Sequence, residues 1–399
     1  MACGIWRVRR SALQSSANKS TITSMSGNDN PRLRLFLCGD VMTGRGIDQA
    51  LPHPVNPVLY EPYIRDARAY VDLAEAANGP IERPVSFDYI WGEAVEELQR
   101  SAIDLRIVNL ETAITSTEAQ WPDKEIHYRM HPQNVGCLTA ATIDACALAN
   151  NHMLDWGYNG LAETLRALDA AHISHTGAGN NAHDAAAPAV LNVAGKGRVH
   201  FFSFGSTTSG VFEQWRATDS HAGVNLLDDL SDETATRIAA AMRRFTSDPQ
   251  EPGDLLIASI HWGSNWGYDI PRQQIAFAHR LIEEGISIVH GHSSHHVRAI
   301  EVFKDHLILY GCGDFLTDYE GISGYESFRG DLALMYLIDV DPRSGQLLSA
   351  RLVPMHMRRF RLERASSADS KWLCNLLREL GKPFATSVRL EADDSLILE

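Results

Sequence analysis

LRLFLCGD, residues 33–40, is an apolar run with one polar interruption that stops abruptly at Gly39-Asp40. It reads as a buried strand that delivers a carboxylate at its end. The pattern then repeats. IDLRIV (103–108) runs into Asn109-Leu110-Glu111, and DACAL (144–148) into Ala149-Asn150-Asn151-His152. DLLIASI (254–260) ends at His261, and ISIVH (286–290) at Gly291-His292. Helical stretches fall between these strands, over 62–77, 92–102, 134–141, 158–171, 231–245 and 271–284. Ser231 precedes its helix as an N-cap, and Pro271 stands where a missing N–H costs nothing. Further strands are expected at 188–193 and 199–204, a hairpin at 297–303 and 306–310, and a pair at 332–340 and 348–355. Strands alternating with helices predict an α/β fold with mixed sheets flanked by helices, and loops at the carboxyl ends of strands build sites in such folds.

Composition narrows the function. Fifty acidic against 36 basic residues leave a formal charge of −14, which argues against nucleic acid as a partner, since that binding rests on phosphate neutralisation. No apolar run is long enough to span a membrane. Six scattered cysteines form no Cys-x-x-Cys pair, so they read as reduced and mostly buried. Residues 1–28 carry no acid but include Arg7, Arg9, Arg10 and Lys19. That composition is similar to an organelle transit peptide, although an upstream start codon with Met25 as the true beginning is the simpler reading. The expected organisation is an extension over 1–30, one domain over 31–360 and a helix and strand appended over 361–399. The expected location is cytoplasmic, or an organelle if the extension is a targeting segment.

The strand ends carry the chemistry. Asp40 and Glu111 offer hard oxygen ligands; their plainer roles are a turn residue and a helix-start carboxylate. Asn109 beside Glu111 is placed to orient it. In Asn150-Asn151-His152-Met153-Leu154-Asp155 an Asn carbonyl can ligate a metal, the next His can transfer a proton, and Asp155 can fix its tautomer. The plainer role of that stretch is a polar helix cap. His261 is followed by Trp262, which can wall a site or pack the core. His290-Gly291-His292-Ser293-Ser294-His295-His296 is the most specific local signal: four imidazoles in seven residues are hard to satisfy as either surface or core.

Together, GDVMTGRG (39–46), NLETAIT (109–115), ALANNHMLDWG (147–157), HWGSNWG (261–267), HGHSSHH (290–296) and LYGCGDF (309–315) resemble the CapA family of poly-γ-glutamate capsule synthesis proteins. That family is distantly similar to calcineurin-like metallophosphatases, and the closing motifs resemble its branch of polyglutamine synthesis accessory proteins. The resemblance implies a four-layer αββα sandwich of metallophosphatase type. It implies metal ligands at Asp40, Glu111, Asn151, His261 and His292, with His295 or His296 as a further one, and a catalytic His152 supported by Asp155. Arg45, Asn109, Trp262 and Asp314 are assigned to substrate. Two positions depart from the metallophosphatase pattern: Met42 stands where a His ligand belongs, and Glu111 where a bridging Asp belongs. One or two divalent ions are therefore expected, Mn, Fe or Zn, with Mg admissible.

Three functions follow: hydrolysis of a phosphoester or amide, proton abstraction at a peptide α-carbon with epimerisation, or non-catalytic binding of a polymer. The expected partners are an anionic or glutamate-rich polymer or peptide and a polymer synthetase.

Overall fold

A computed structural model of the chain describes residues 32–246 and 253–399. The extension at 1–30 lies outside the described residues. The rest forms one α/β unit with two main sheets, both mixed. In the larger sheet the strand Leu33–Val41 is central. It runs parallel to Leu105–Leu110, which is followed outward by the parallel strands Ala145–Ala147 and Ser174–Thr176. On its other side it pairs antiparallel with Leu332–Val340, and that strand with Leu347–Arg358. In the smaller sheet Asp254–His261 lies parallel to both Gly197–Gly205 and Ile288–His292. The hairpin Ile300–Phe303 and His306–Leu309 closes one edge, and Ala189–Val193 the other.

Strand periodicity explains how the sheets bury both faces. Leu33, Leu35 and Leu37 point into one apolar core, which they share with Ile257, Ile288 and Leu309 of the smaller sheet. Phe36 and Cys38, on the opposite face, pack with Ala94, Leu161 and Leu165 from helices Glu93–Arg100 and Gly157–Ala170. Phe202, Ala258 and Val289 of the smaller sheet pack with Ile238 and Phe277 from helices Asp232–Arg243 and Arg272–Glu283. Ser231 caps its helix by accepting from Thr234 N at 3.2 Å. Arg34, the one polar residue of its strand's apolar run, pairs with Asp339 on the neighbouring strand at 2.6 Å.

Residues 361–399, expected as an appended helix and strand, are integrated instead. Arg361–Arg364 pairs with Leu347–Arg358, as does Leu396–Leu398. Leu373, Leu377 and Val388 fill the core between the sheets. The proposed boundary cuts a hairpin whose turn, Arg359-Phe360, has positive φ at both positions. Cys38, Cys137, Cys146, Cys312 and Cys374 are buried and unpaired, as the sequence predicts. No helix among the described residues is long and apolar enough to cross a membrane.

Candidate metal centre

The strand ends meet where the two sheets come together. The larger sheet contributes Asp40, Glu111 and Asp314, and the smaller contributes His261 and His292. Asp40, His261 and His292 place one ligand atom each within 4.8 Å of one another, as do Asp40, Glu111 and Asp314. All five side chains are buried.

The backbone makes this convergence possible. Asp40 and Asp314 stand opposite each other in a parallel pairing, held by Asp40 N donating to Gly313 O at 3.0 Å. A Cβ on Gly39 would lie 1.6 Å from that same carbonyl, so only glycine lets the two chains approach here. Ser293, directly after His292, has φ of 106°, a region costly for a side-chain residue and characteristic of constrained sites. Its N–H donates to Asp40 Oδ2 at 3.2 Å.

The orienting bonds are specific. Asn109 Nδ2 donates to Asp40 Oδ1 at 2.7 Å, and Asn150 Nδ2 donates to Asn109 Oδ1 at 3.1 Å. His292 Nε2 contacts Ser259 Oγ at 2.8 Å, which leaves Nδ1 facing His261 Nδ1 at 2.8 Å and Asp40 Oδ1 at 3.7 Å. His261 Nε2 lies 2.8 Å from Asn151 Oδ1 and 3.7 Å from Glu111 Oε1. Five of the expected ligands (Asp40, Glu111, Asn151, His261, His292) are thus gathered. Met42 is not among them: its sulfur accepts from Gly44 N. Asp314, assigned to substrate from sequence, joins the carboxylates instead, and its Oδ2 is buried without a hydrogen-bond partner among the described residues.

The other histidines diverge. His295 Nδ1 sits 3.0 Å from Asp314 Oδ1, so it supports a carboxylate of the centre. His296 turns away: its Nδ1 meets Val297 O, and its ring packs among Trp266, Tyr268 and Phe328. Trp262 is core as well, with its N–H on Tyr310 O and its ring against Phe277. Arg45 lines the adjoining cavity but is saturated by Asp318 and Glu61.

Electrostatics favour a cation. Burial raises the Glu111 carboxyl well above its usual range, and the Asp40 and Asp314 charges add to the effect. Burial and Asp314 likewise raise Asp40. Burial holds His261 and His292 well below the ordinary imidazole value; His152 and His295 lower His261 further, and His261 and His290 lower His292. They are therefore neutral, the form in which imidazole binds metal. Three crowded carboxylates, one of them with an orphaned oxygen, two neutral imidazoles and an amide oxygen fit a divalent transition metal.

This crowding gives a testable pH dependence for the metal-free protein. A carboxyl raised in the fold binds more protons folded than unfolded, so stability falls as pH rises from the unfolded value towards the folded one. Histidines lowered in the fold act oppositely, but only below their unfolded value of about 6.5. Above that pH the raised carboxyls and His295, which Asp314 raises against burial, act in the same direction. Chelator-treated protein is expected to lose stability from about pH 6.5 upward. Glu111→Gln should flatten that slope and stabilise the metal-free chain by about 1–3 kcal/mol. Thermal denaturation across pH checks this; a steeper slope in the variant would contradict it.

Beside the centre lies a buried His–Asp pair. His152 Nδ1 is 2.7 Å from Asp155 Oδ2, and Nε2 is 3.8 Å from Glu111 Oε1. Tyr128 stacks on the ring at 3.8 Å. Lys124 Nζ, which sequence reading passed over, holds Asp155 Oδ1 at 2.7 Å. Burial, then the Lys124 charge, push His152 well below the usual imidazole range. Burial raises Asp155 to about 6, opposed by Lys124. A cavity of about 740 Å³ opens from Glu111, Asn151, His152 and His295 towards Arg329 and His356.

An α/β protein whose carboxylates and imidazoles converge at the ends of its strands, next to a His–Asp pair and a deep cavity, belongs to the class of candidate metal-site proteins. More particularly, the chain belongs to the family described as bacterial capsule synthesis protein PGA_cap, whose family model matches residues 34–319. It is 46% identical over 377 residues to the "Probable polyglutamine synthesis accessory protein" of Mycobacterium tuberculosis, covering 93% of this chain and 97% of that protein. It is 23% identical over 358 residues to "Capsule biosynthesis protein CapA" of Bacillus anthracis, covering 88% of this chain and 76% of the relative.

Proposed function

We propose that this chain supports synthesis of a glutamate- or glutamine-based polymer as a metal-dependent hydrolase of a phosphoester or amide, working beside a polymer synthetase. The observation that carries the reading is the buried cluster of Asp40, Glu111, Asp314, His261 and His292 with His152–Asp155 at its edge. The relatives' names supply the polymer. The three apolar cores, one between the sheets and one under each set of helices, support a four-layer αββα arrangement of metallophosphatase type.

Bound in the cluster, a divalent metal such as Mn, Fe or Zn would supply Lewis acidity to a carbonyl or phosphoryl oxygen. Asp40, Glu111, Asn151, His261, His292 and Asp314 would hold it. The chain's own proton work falls to His152. With Asp155 accepting from Nδ1–H, the Nε2 lone pair faces the centre. His152 starts neutral, so it accepts a proton before it can return one to a leaving group. Lys124 and Tyr128 fix Asp155, through Lys124 Nζ and the Tyr128 N–H, and with it the ring's tautomer.

That same neutral His152 favours one second reading, proton abstraction at a peptide α-carbon, since a neutral imidazole is a base before it is an acid. The test joins elemental analysis to turnover. Purified protein is expected to carry transition metal and to hydrolyse a phosphodiester or release an amide fragment. His152→Ala should lower turnover at least about a hundredfold while keeping its metal. Deuterium incorporation at an α-carbon without cleavage would favour the second reading. A metal-free protein whose stability ignores chelator would sink both.

A further inference from the structure

We propose that Arg298, Gln274 and the first turn of helix Arg272–Glu283 form a site for a compact inorganic monoanion of the halide class, behind the loop 263–267. The site is separate from the metal centre and does not depend on it. Arg298 is 1% exposed and Gln274 2%. One nitrogen of the guanidinium is occupied: Nη2 donates to Ser264 O at 2.7 Å and to Ser264 Oγ at 3.0 Å. Nε is buried without a hydrogen-bond partner among the described residues, and so are both Nε2 and Oε1 of Gln274. Asp269 is the carboxylate whose charge reaches the guanidinium, but it is exposed and makes no ion pair with it.

A buried cation without a counter-charge is costly, because it has lost its water and gained no partner. Arg45 shows how this chain otherwise meets that cost, with the buried carboxylates of Asp318 and Glu61. No carboxylate among the described residues does the same for Arg298.

The unpaired donors converge. A Cβ on Gly263 would stand 2.8 Å from Gln274 Nε2 and 3.3 Å from Arg298 Nη1. Gly263, at φ 81°, leaves that point of backbone bare. Gln274 lies in the first turn of a 12-residue helix whose N-cap, Pro271, offers no side-chain bond and whose first turn holds no acid. Such a turn keeps open N–H groups and the positive end of the helix dipole. Guanidinium, amide N–H and helix end thus favour negative charge together. One guanidinium balances one unit of charge, so a phosphate dianion would leave a second charge buried and unpaired. A halide carries the single charge and is compact enough to enter without its water. Bound there, it ties the helix to the loop whose Asn265 and Trp266 line the cavity.

The experiment uses full-length protein at constant ionic strength, with and without chelator, chloride being exchanged for methanesulfonate. Chloride is expected to raise the melting temperature by about 2–4 °C along a saturating curve. It should also show chlorine NMR line broadening that bromide competes away. Gln274→Leu keeps the bulk of the side chain and should weaken chloride binding at least about tenfold. Arg298→Met should abolish it; if that variant does not fold, Gln274→Leu carries the test alone. Equal stability in chloride and methanesulfonate would overturn the proposal, as would broadening that Gln274→Leu leaves unchanged. A larger shift with phosphate, lost in the same variants, would overturn the halide assignment. The same chloride response with and without chelator is expected, and a response seen only in metal-loaded protein would place the ion at the metal centre instead.

Discussion

Arg45→Ala is expected to destabilise the protein by about 3–5 kcal/mol, the cost of removing one partner from a buried ion-pair network. The guanidinium binds Asp318 through two nitrogens and Glu61 through a third contact, and stacks 3.9 Å from the Tyr70 ring. Tyr70 itself donates to Glu61. Without the arginine, Asp318 and Glu61 remain at 0% exposure with no opposite charge of this kind. Burial already raises the Asp318 carboxyl despite the arginine. Urea denaturation should therefore show a lower midpoint with unchanged slope. Asp318→Asn in the Arg45→Ala background should recover part of the loss, because it removes the stranded charge. Arg45→Lys should fall between, since an ammonium cannot match a carboxylate with two parallel bonds. A change under about 1 kcal/mol in Arg45→Ala would show that the network is solvated and the residue is free for substrate.

The second large effect concerns the metal itself. His292→Ala is expected to weaken metal binding by about a thousandfold or more, beyond the 10–100-fold typical of losing a group that merely orients a ligand. Its Nδ1 faces both His261 and Asp40, whereas the neighbouring His290 is engaged by Ser259 Oγ and Cys38 O. His295→Ala should fall in that 10–100-fold range, because it braces Asp314 from outside. His296→Ala should leave metal content unchanged, since its ring belongs to the Trp266 cluster. Elemental analysis after dialysis against a weak chelator ranks the three. If His296→Ala empties the site and His292→Ala does not, the assignment of ligands is wrong.

The sequence made the strands and their endings legible because both are local. Largely apolar runs of five to seven residues stop at Asp40, at His261 and near Glu111 and His292, and periodicity needs nothing more. What it could not supply was pairing. Asp314 becomes a partner of Asp40 only through a parallel bridge between segments far apart in the chain, so its carboxylate was assigned to substrate. Lys124 lies in an irregular stretch with no pattern to mark it, and only the fold brings it to Asp155. The histidine run stands out in the sequence, but which of its rings face the centre does not. Ser293, at φ 106°, decides which rings face inward, and no residue type announces that turn. Arg45 and Trp262 show the complementary error. A charged or aromatic residue beside a site motif invites a role in recognition, whereas partners from distant segments, Asp318 and Tyr310, had already claimed them.

The centre draws its oxygen ligands from one sheet and its imidazoles from the other. No fragment of the chain that forms only one sheet can therefore assemble it. A metal held there would be captured only after the two halves dock, and would act as a rivet, set last, that slows separation more than it speeds assembly. On the proposed reading, chains starved of metal would reach the same shape but come apart faster, and metal supply would set how long each molecule lasts.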